Sequence, residues 1–424
     1  MKTKLTQLEK SWILYDIGNS AFILLVSTII PIFFESLCAA DGLSNAQYLS
    51  TWSFMGSIST LIVAFIGPIC GTMADRKGFK KPIFLLSMAL GALGCAALGT
   101  AWSWLSFAVI FVIAKVGYNS ANVFYDAMLP EIAAGDRMDT ISSLGYAFGY
   151  IGSVVPFVLC LVVVLGNAVI GISMGTAMMI AFILTALWWI ACTVPLLKNY
   201  KQTAFVESTG NPVAASFRQL WNTFLEAKKH KHILLYLLSF FFFIDGVYTI
   251  IEMATAYGTS LGLDSTGLLL ALLWTQIVAF PCAIVFGRLS AKYDTGKLIK
   301  ICILCYTGIT LFAVFLMYQW QFWLLATLVG MFQGGIQALS RSYLGKIVPP
   351  EHSGEYYGLM DICGKGASFL GLFLVGIVSK YTDGMTYKIL GLELQSQSLA
   401  VASLVIIFVI GYILFCQADK MNRK

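Results

Sequence analysis

Gly71–Lys81 reads GTMADRKGFKK, and Gly287–Lys297, 216 positions later, reads GRLSAKYDTGK. The second copy is the weaker one, but two further landmarks recur at nearly the same spacing. LPEIAAGDR, from Leu129, is answered by PPEHSGEYY, from Pro349, with Pro130 and Pro350 220 positions apart. The tryptophans Trp102 and Trp104 are answered by Trp320 and Trp323. Self-similarity at one offset over half the chain means two copies of one unit, which decides the architecture before any single helix is drawn.

Between these landmarks the chain is apolar. Its 424 residues are 58% hydrophobic and 11% charged, too little charge to cover a soluble domain of this length. Twelve runs, near 11–36, 50–74, 82–101, 104–128, 139–165, 173–197, 232–257, 266–290, 298–318, 322–345, 356–379 and 397–416, each approach the ~20 residues with which a helix crosses the hydrocarbon core. A β-barrel is excluded, because its strands alternate over short segments. The expected fold is an all-α membrane protein of twelve transmembrane helices: a six-helix half over 1–197, a linker over 198–231 and a second six-helix half over 232–424. Six is even, so both halves enter the membrane in the same orientation. Of the 27 Lys and Arg, Lys380 and Lys388 fall on one side and Lys115, Arg341 and Lys365 at membrane depth. The others gather on the side of the two termini, which marks that side as cytoplasmic. The net charge of +6 is therefore a topology signal and points to no nucleic-acid partner. No cleavable signal precedes the first span. In the linker, Val213, Phe217, Leu220, Trp221 and Phe224 recur at helical spacing beside Arg218 and Lys228, which predicts an amphipathic helix against the bundle or the inner leaflet. Cys302 and Cys305, spaced C-x-x-C inside a span, read as packing.

GTMADRKGFKK resembles the signature loop between spans 2 and 3 of the major facilitator superfamily. More narrowly, WILYDIGNSAF (Trp12–Phe22), FIDGVYTI (Phe243–Ile250) and FQGGIQALSRSYLGKIVPPE (Phe332–Glu351) resemble the branch that holds the vacuolar amino-acid effluxers of autophagy and their bacterial relatives. The resemblance implies a 6+6 bundle that works by alternating access to a central cavity lined by spans 1, 4, 7 and 10, with an amino acid as substrate. The short loops fit a bacterial relative, and so a plasma (inner) membrane.

Spans 1, 4, 7 and 10 do carry polar stripes. Lys115, Asn119, Asn122 and Asp126 are spaced 4, 3 and 4, which at ~100° per residue keeps them within a sector of about 60°. Span 7 offers Asp245, Tyr248, Thr249 and Glu252, span 10 offers Gln333, Gln337, Ser340 and Arg341, and span 1 offers Asp16, Asn19, Ser20 and Ser27. A charge at the bilayer centre costs about 2.5–3.5 kcal/mol on insertion scales, so these groups should face water, one another or a substrate. Lys115 suits a carboxylate and Asp245 or Glu252 an ammonium. Asn19, Asn119, Asn122, Tyr248, Thr249, Gln333 and Gln337 are placed to orient the remainder. Asp16, Asp245, Glu252 and Arg341 are the candidates for coupling or gating, with a proton favoured over sodium. The competing reading is a static ion pair between Lys115 and an acid, and a solvated mouth residue at Glu252.

Gly71, Asp75, Arg76 and Gly78 form the candidate latch. Asp75 is expected at the positive N-terminus of span 11, and Arg76 at Asp126 or Glu131. In the superfamily such contacts hold the outward-open state. The second copy has Ala291 in place of the aspartate and two residues inserted before Gly296, so it departs from the pattern and the latch does not carry over to it from the resemblance. No nucleophile with its base, metal-ligand cluster or phosphate loop is present, which argues against an enzyme or an ATP-driven pump and for no cofactor. A channel or a non-transporting receptor remains as the alternative to a monomeric carrier of a small solute.

Overall fold

The computed structural model describes residues 4–43, 45–207, 231–382, 386–389 and 392–423. Its helices are α1 (Gln7–Val26), α2 (Ile29–Ala40), α3 (Asn45–Ala74), α4 (Lys80–Ala97), α5 (Trp104–Ile132), α6 (Asp136–Leu165), α7 (Asn167–Ile170), α8 (Met174–Asn199), α9 (Lys231–Ser260), α10 (Ser265–Leu289), α11 (Thr295–Val314), α12 (Gln319–Ile347), α13 (Ser353–Tyr381), α14 (Ser396–Ala402) and α15 (Leu404–Asn422). Among the described residues, eleven stretches are long and apolar enough to cross a membrane, with α1 and α2 together making the first. The amphipathic helix expected in the linker lies outside the described residues.

Two local features depart from the sequence reading. The first span is broken rather than continuous, with Thr28 at φ −130°, ψ −73° between α1 and α2. The Ser27 hydroxyl donates to the Ile23 and Leu24 carbonyls, and the Thr28 hydroxyl donates to the Leu24 carbonyl at 2.6 Å. Pro31, with no N–H of its own, cannot continue the ladder across the break. The chain is also not purely helical. Thr386–Ile389 (β1) and Leu392–Gln395 (β2) pair antiparallel with Ile389 opposite Leu392, a hairpin too short to leave a periodicity signal.

The chain forms two compact units. One comprises residues 1–134, 148–220 and 349–358; the other comprises 135–147, 221–348 and 359–424. In the first unit α1 packs on α8, α4 on α5, α3 on α5 and α4 on α8. In the second, α9 packs on α15, α11 on α12, α10 on α12 and α11 on α15. These are the same four pairings in the same chain order, as a repeat requires. Close approach depends on glycine: a Cβ at Gly117 of α5 would strike the Gly91 backbone of α4, and one at Gly411 of α15 would lie 2.9 Å from Phe243 of α9.

Candidate substrate site and latch

In the first unit α1 and α5 are fastened reciprocally. Trp12 Nε1 donates to the Tyr125 carbonyl and Tyr125 Oη to the Trp12 carbonyl, both at 3.1 Å, and the rings stack at 4.3 Å. This sets the polar residues of both helices in place. Asn19 Nδ2 donates to Asp16 Oδ1 at 3.5 Å, and Tyr15 Oη donates to Asn122 Oδ1 at 3.4 Å. Asp16, Asn19 and Asn119 are buried, while Asn122 and Asp126 are half-buried. Lys115 is half-buried one turn before Asn119, its Nζ 5.7 Å from the Phe111 ring centroid.

In the second unit Asp245 and Thr249 of α9 are fully buried. The Gly371 N–H of α13 donates to Asp245 Oδ1 at 3.0 Å, while among the described residues Asp245 Oδ2 and the Thr249 hydroxyl, side by side, make no hydrogen bond of good geometry. Gly371 leaves no room for a side chain there, since a Cβ would collide with Thr249. Tyr248 is half-buried and Glu252 exposed. On α12, Gln333 is buried, its Oε1 making no hydrogen bond among the described residues, and Gln337 is half-buried. Arg341 is held differently. Its Nε donates to Ser142 Oγ and its guanidinium to the Ser142 carbonyl, each at 2.9 Å, and it lies 4.3 Å from the Tyr146 ring centroid. These contacts tie it to the first turns of α6.

The candidate latch is built around two fully buried groups, Asp75 and Lys80. Asp75 accepts from the Gly354 N–H at 2.7 Å and the Glu355 N–H at 2.9 Å, two of the donors that the start of α13 leaves without intrahelical partners. Gly71 and Gly354 make this approach possible, because a Cβ at Gly71 would strike the Gly354 carbonyl. Gly78 turns the loop at φ +82°, a conformation that suits glycine. Lys80 Nζ lies 3.6 Å from Asp75, donates to Glu131 Oε1 at 2.7 Å and donates to Ser353 Oγ at 2.9 Å. Glu131 thus pairs with Lys80 rather than with Arg76. Arg76 is buried and its backbone bridges Val206. Burial pushes Asp75 up to about 7, against the opposing pull of Lys80 and the two N–H donors.

The second unit holds a cluster that sequence reasoning missed. Asp139, fully buried on α6, accepts from Lys346 Nζ at 2.6 Å, from the Thr295 hydroxyl at 2.6 Å and from the Ser342 hydroxyl at 2.5 Å. Ala291 has lost the loop carboxylate, but a carboxylate on the opposing helix stands in for it. The signal was present in the repeat, since Asp139 and Glu355 are 216 apart, the same offset as Gly71 and Gly287.

Two units built on the same four helix pairings, polar groups buried within long apolar helices, and interlocked helix starts mark a membrane transporter of the major facilitator class. The family model described as "Vacuole effluxer Atg22 like" matches residues 6–420, and the chain belongs to that family. The uncharacterized MFS-type transporter YxiO of Bacillus subtilis is 38% identical over 419 residues, covering 98% of this chain and 95% of its own. Autophagy-related protein 22 of Kluyveromyces lactis is 22% identical, with 89% of each chain covered. Among solved structures, the transporter FucP in its outward conformation aligns at a TM-score of 0.70 over 97% of each chain, with 15% identity. That last likeness concerns the fold alone. The protein is a transporter and not an enzyme.

Proposed function

We propose that this protein is a secondary active transporter that moves a small polar solute, an amino acid or related zwitterion, by alternating access to a midplane cavity. It does so as a monomer with twelve spans, the 29-residue α13 supplying span 11 beside the other eleven, and with both termini in the cytoplasm of a bacterial cell. The observation that carries this reading is the unsatisfied polar set inside α9 and α12. Among the described residues, Asp245 Oδ2, the Thr249 hydroxyl and Gln333 Oε1 are buried and make no hydrogen bond of good geometry. Such groups are costly at membrane depth unless a solute or ion engages them during the cycle. Asp245 has the chemistry for an ammonium and Lys115 for a carboxylate, with Asn19, Asn119, Asn122, Tyr248 and Gln337 supplying donors and acceptors. The description of the family as effluxers supports movement of a solute out of a compartment, and the amino-acid class rests on the pairing of Asp245 with Lys115.

A proton is the coupling ion we favour over sodium, since one carboxylate carries a proton whereas sodium takes a shell of several oxygens. Thermal unfolding of the purified protein against amino acids, short peptides, sugars and nucleosides tests the substrate class, because a ligand of the folded state raises its midpoint. Saturable counterflow of the hit in proteoliposomes then separates a carrier from a channel or receptor. Asp245→Asn and Glu252→Gln should each be assayed under an imposed pH gradient. Gradient-driven uptake unchanged in both refutes proton coupling.

A further inference from the structure

The residues that follow α8 open the linker between the two sequence halves, and a linker needs only to span a distance. Here they are bound along their length. Tyr200 Oη donates to Glu131 Oε1 at 2.8 Å. Gln202 uses both ends of its amide: Oε1 accepts from the Gly78 N–H at 2.9 Å, and Nε2 donates to the Ala74 carbonyl at 3.0 Å. The Thr203 and Ala204 N–H groups and the Thr203 hydroxyl all donate to Glu131 Oε2, at 2.6, 3.1 and 3.1 Å. Lys77 lies over the Phe205 ring at 5.2 Å, and the Val206 N–H donates to the Asp75 carbonyl at 2.8 Å.

We propose that Tyr200–Val206 is a strap that holds the latch loop in its engaged form, with Gln202 as its positioning residue. The strap makes no hydrogen bond to Gly354 or Glu355 among the described residues, and it reaches them through two routes. Along the backbone, Gln202 clamps the loop on both sides of Asp75, at Ala74 and at Gly78, and Val206 holds the Asp75 carbonyl, so the carboxylate is aimed at the start of α13. Along the side chains, Tyr200, Thr203 and Ala204 fix Glu131, which orients Lys80 between Asp75 and Ser353. Burial and the neighbouring Glu131 carboxylate both push the Tyr200 phenol up, so it stays a donor at every working pH. The linker is thereby part of the gate. The proposal rests on the reading of this chain as a carrier that opens and closes the latch, and the contacts themselves are independent of substrate.

The test is amide hydrogen exchange on the purified full chain. The Gly354 and Glu355 amides report the latch directly, because their acceptor is Asp75. Gln202→Ala and the nearly isosteric Gln202→Met should each speed exchange at these two amides by about fivefold or more. Tyr200→Phe, which removes one donor and little volume, should speed the same amides to a smaller degree. Faster exchange confined to Gly78 and Val206, with Gly354 and Glu355 unchanged in all three variants, overturns the proposal and leaves a local tie. Because no ligand enters this experiment, failure of the transporter reading would appear separately, in the ligand screen and counterflow.

Discussion

Lys80 is buried completely, with Asp75 at 3.6 Å and Glu131 at 2.7 Å, so one cation serves two carboxylates away from water. Breaking a buried pair by removing one partner leaves the other uncompensated, at a cost of about 3–5 kcal/mol. Lys80→Met should therefore lower the unfolding midpoint sharply, and the double variant Lys80→Met with Glu131→Gln should recover part of the loss. Strict additivity of the two single variants would show that the groups are not coupled. Asp75 adds a pH dependence whose sign follows from its environment. Its carboxyl, raised from 3.8 to about 7, binds a proton more tightly in the latched loop than in a solvated one. Its contribution is complete below the ordinary carboxylate value and is lost as pH rises through about 7. His352, raised chiefly by its hydrogen bond to Glu355, changes in the same direction. Asp75→Asn keeps a neutral group at every pH, so its midpoint should climb relative to the parent between about pH 5 and 8. His352 is common to both proteins and largely cancels. A difference that shrinks as pH rises would contradict the burial of Asp75.

The elements show which information the sequence carried. Long apolar runs and the GTMADRKGFKK loop were legible, because their meaning lies in spacing along one segment. Asp75 was placed against α13 for the same reason, since a helix start and a carboxylate suffice to state that contact. Lys80, Asp139 and Gln202 were not singled out. Lys80 read as one more topology charge, Asp139 as the first residue of an apolar span and Gln202 as part of a tether, because each gains its role from partners distant in the chain. The break at Thr28 and the β1–β2 hairpin were hidden by shortness. The α6 start offers a controlled comparison. Asp139 and Asp136 both meet Lys346, at 2.6 and 3.4 Å, but Asp139 is fully buried and the Asp136 side chain is 79% exposed. Asp139→Asn should cost ~2–3 kcal/mol through its charged hydrogen bonds, whereas Asp136→Asn should cost about 0.5 kcal/mol or less. Chemical unfolding of the two variants checks this, and equal effects would remove Asp139 from the latch.

At the scale of the molecule, the compact units do not coincide with the sequence halves. The first unit takes residues 349–358 from beyond the linker, and the second takes 135–147 from before it. Each borrowed segment brings part of a latch. Residues 349–358 bring the N–H donors for Asp75 and the Ser353 hydroxyl for Lys80, and residues 135–147 bring Asp139 and the Ser142 that receives Arg341. A half expressed alone would keep its helix pairings but remove partners of buried polar groups: the Gly354 and Glu355 N–H donors of Asp75 and the Ser353 hydroxyl of Lys80 in one case, and the Asp139 carboxylate of Lys346 and the Ser142 acceptors of Arg341 in the other. Residues 1–207 and 231–424 produced separately should accordingly unfold at lower temperatures than the two produced together, and each should gain stability when the other is present. The comparison is made by thermal unfolding of each purified fragment and of the co-purified pair. Fragments as stable alone as together would mean that the borrowed segments contribute nothing to the units they join, and that the repeat acts as two independent bundles on a tether.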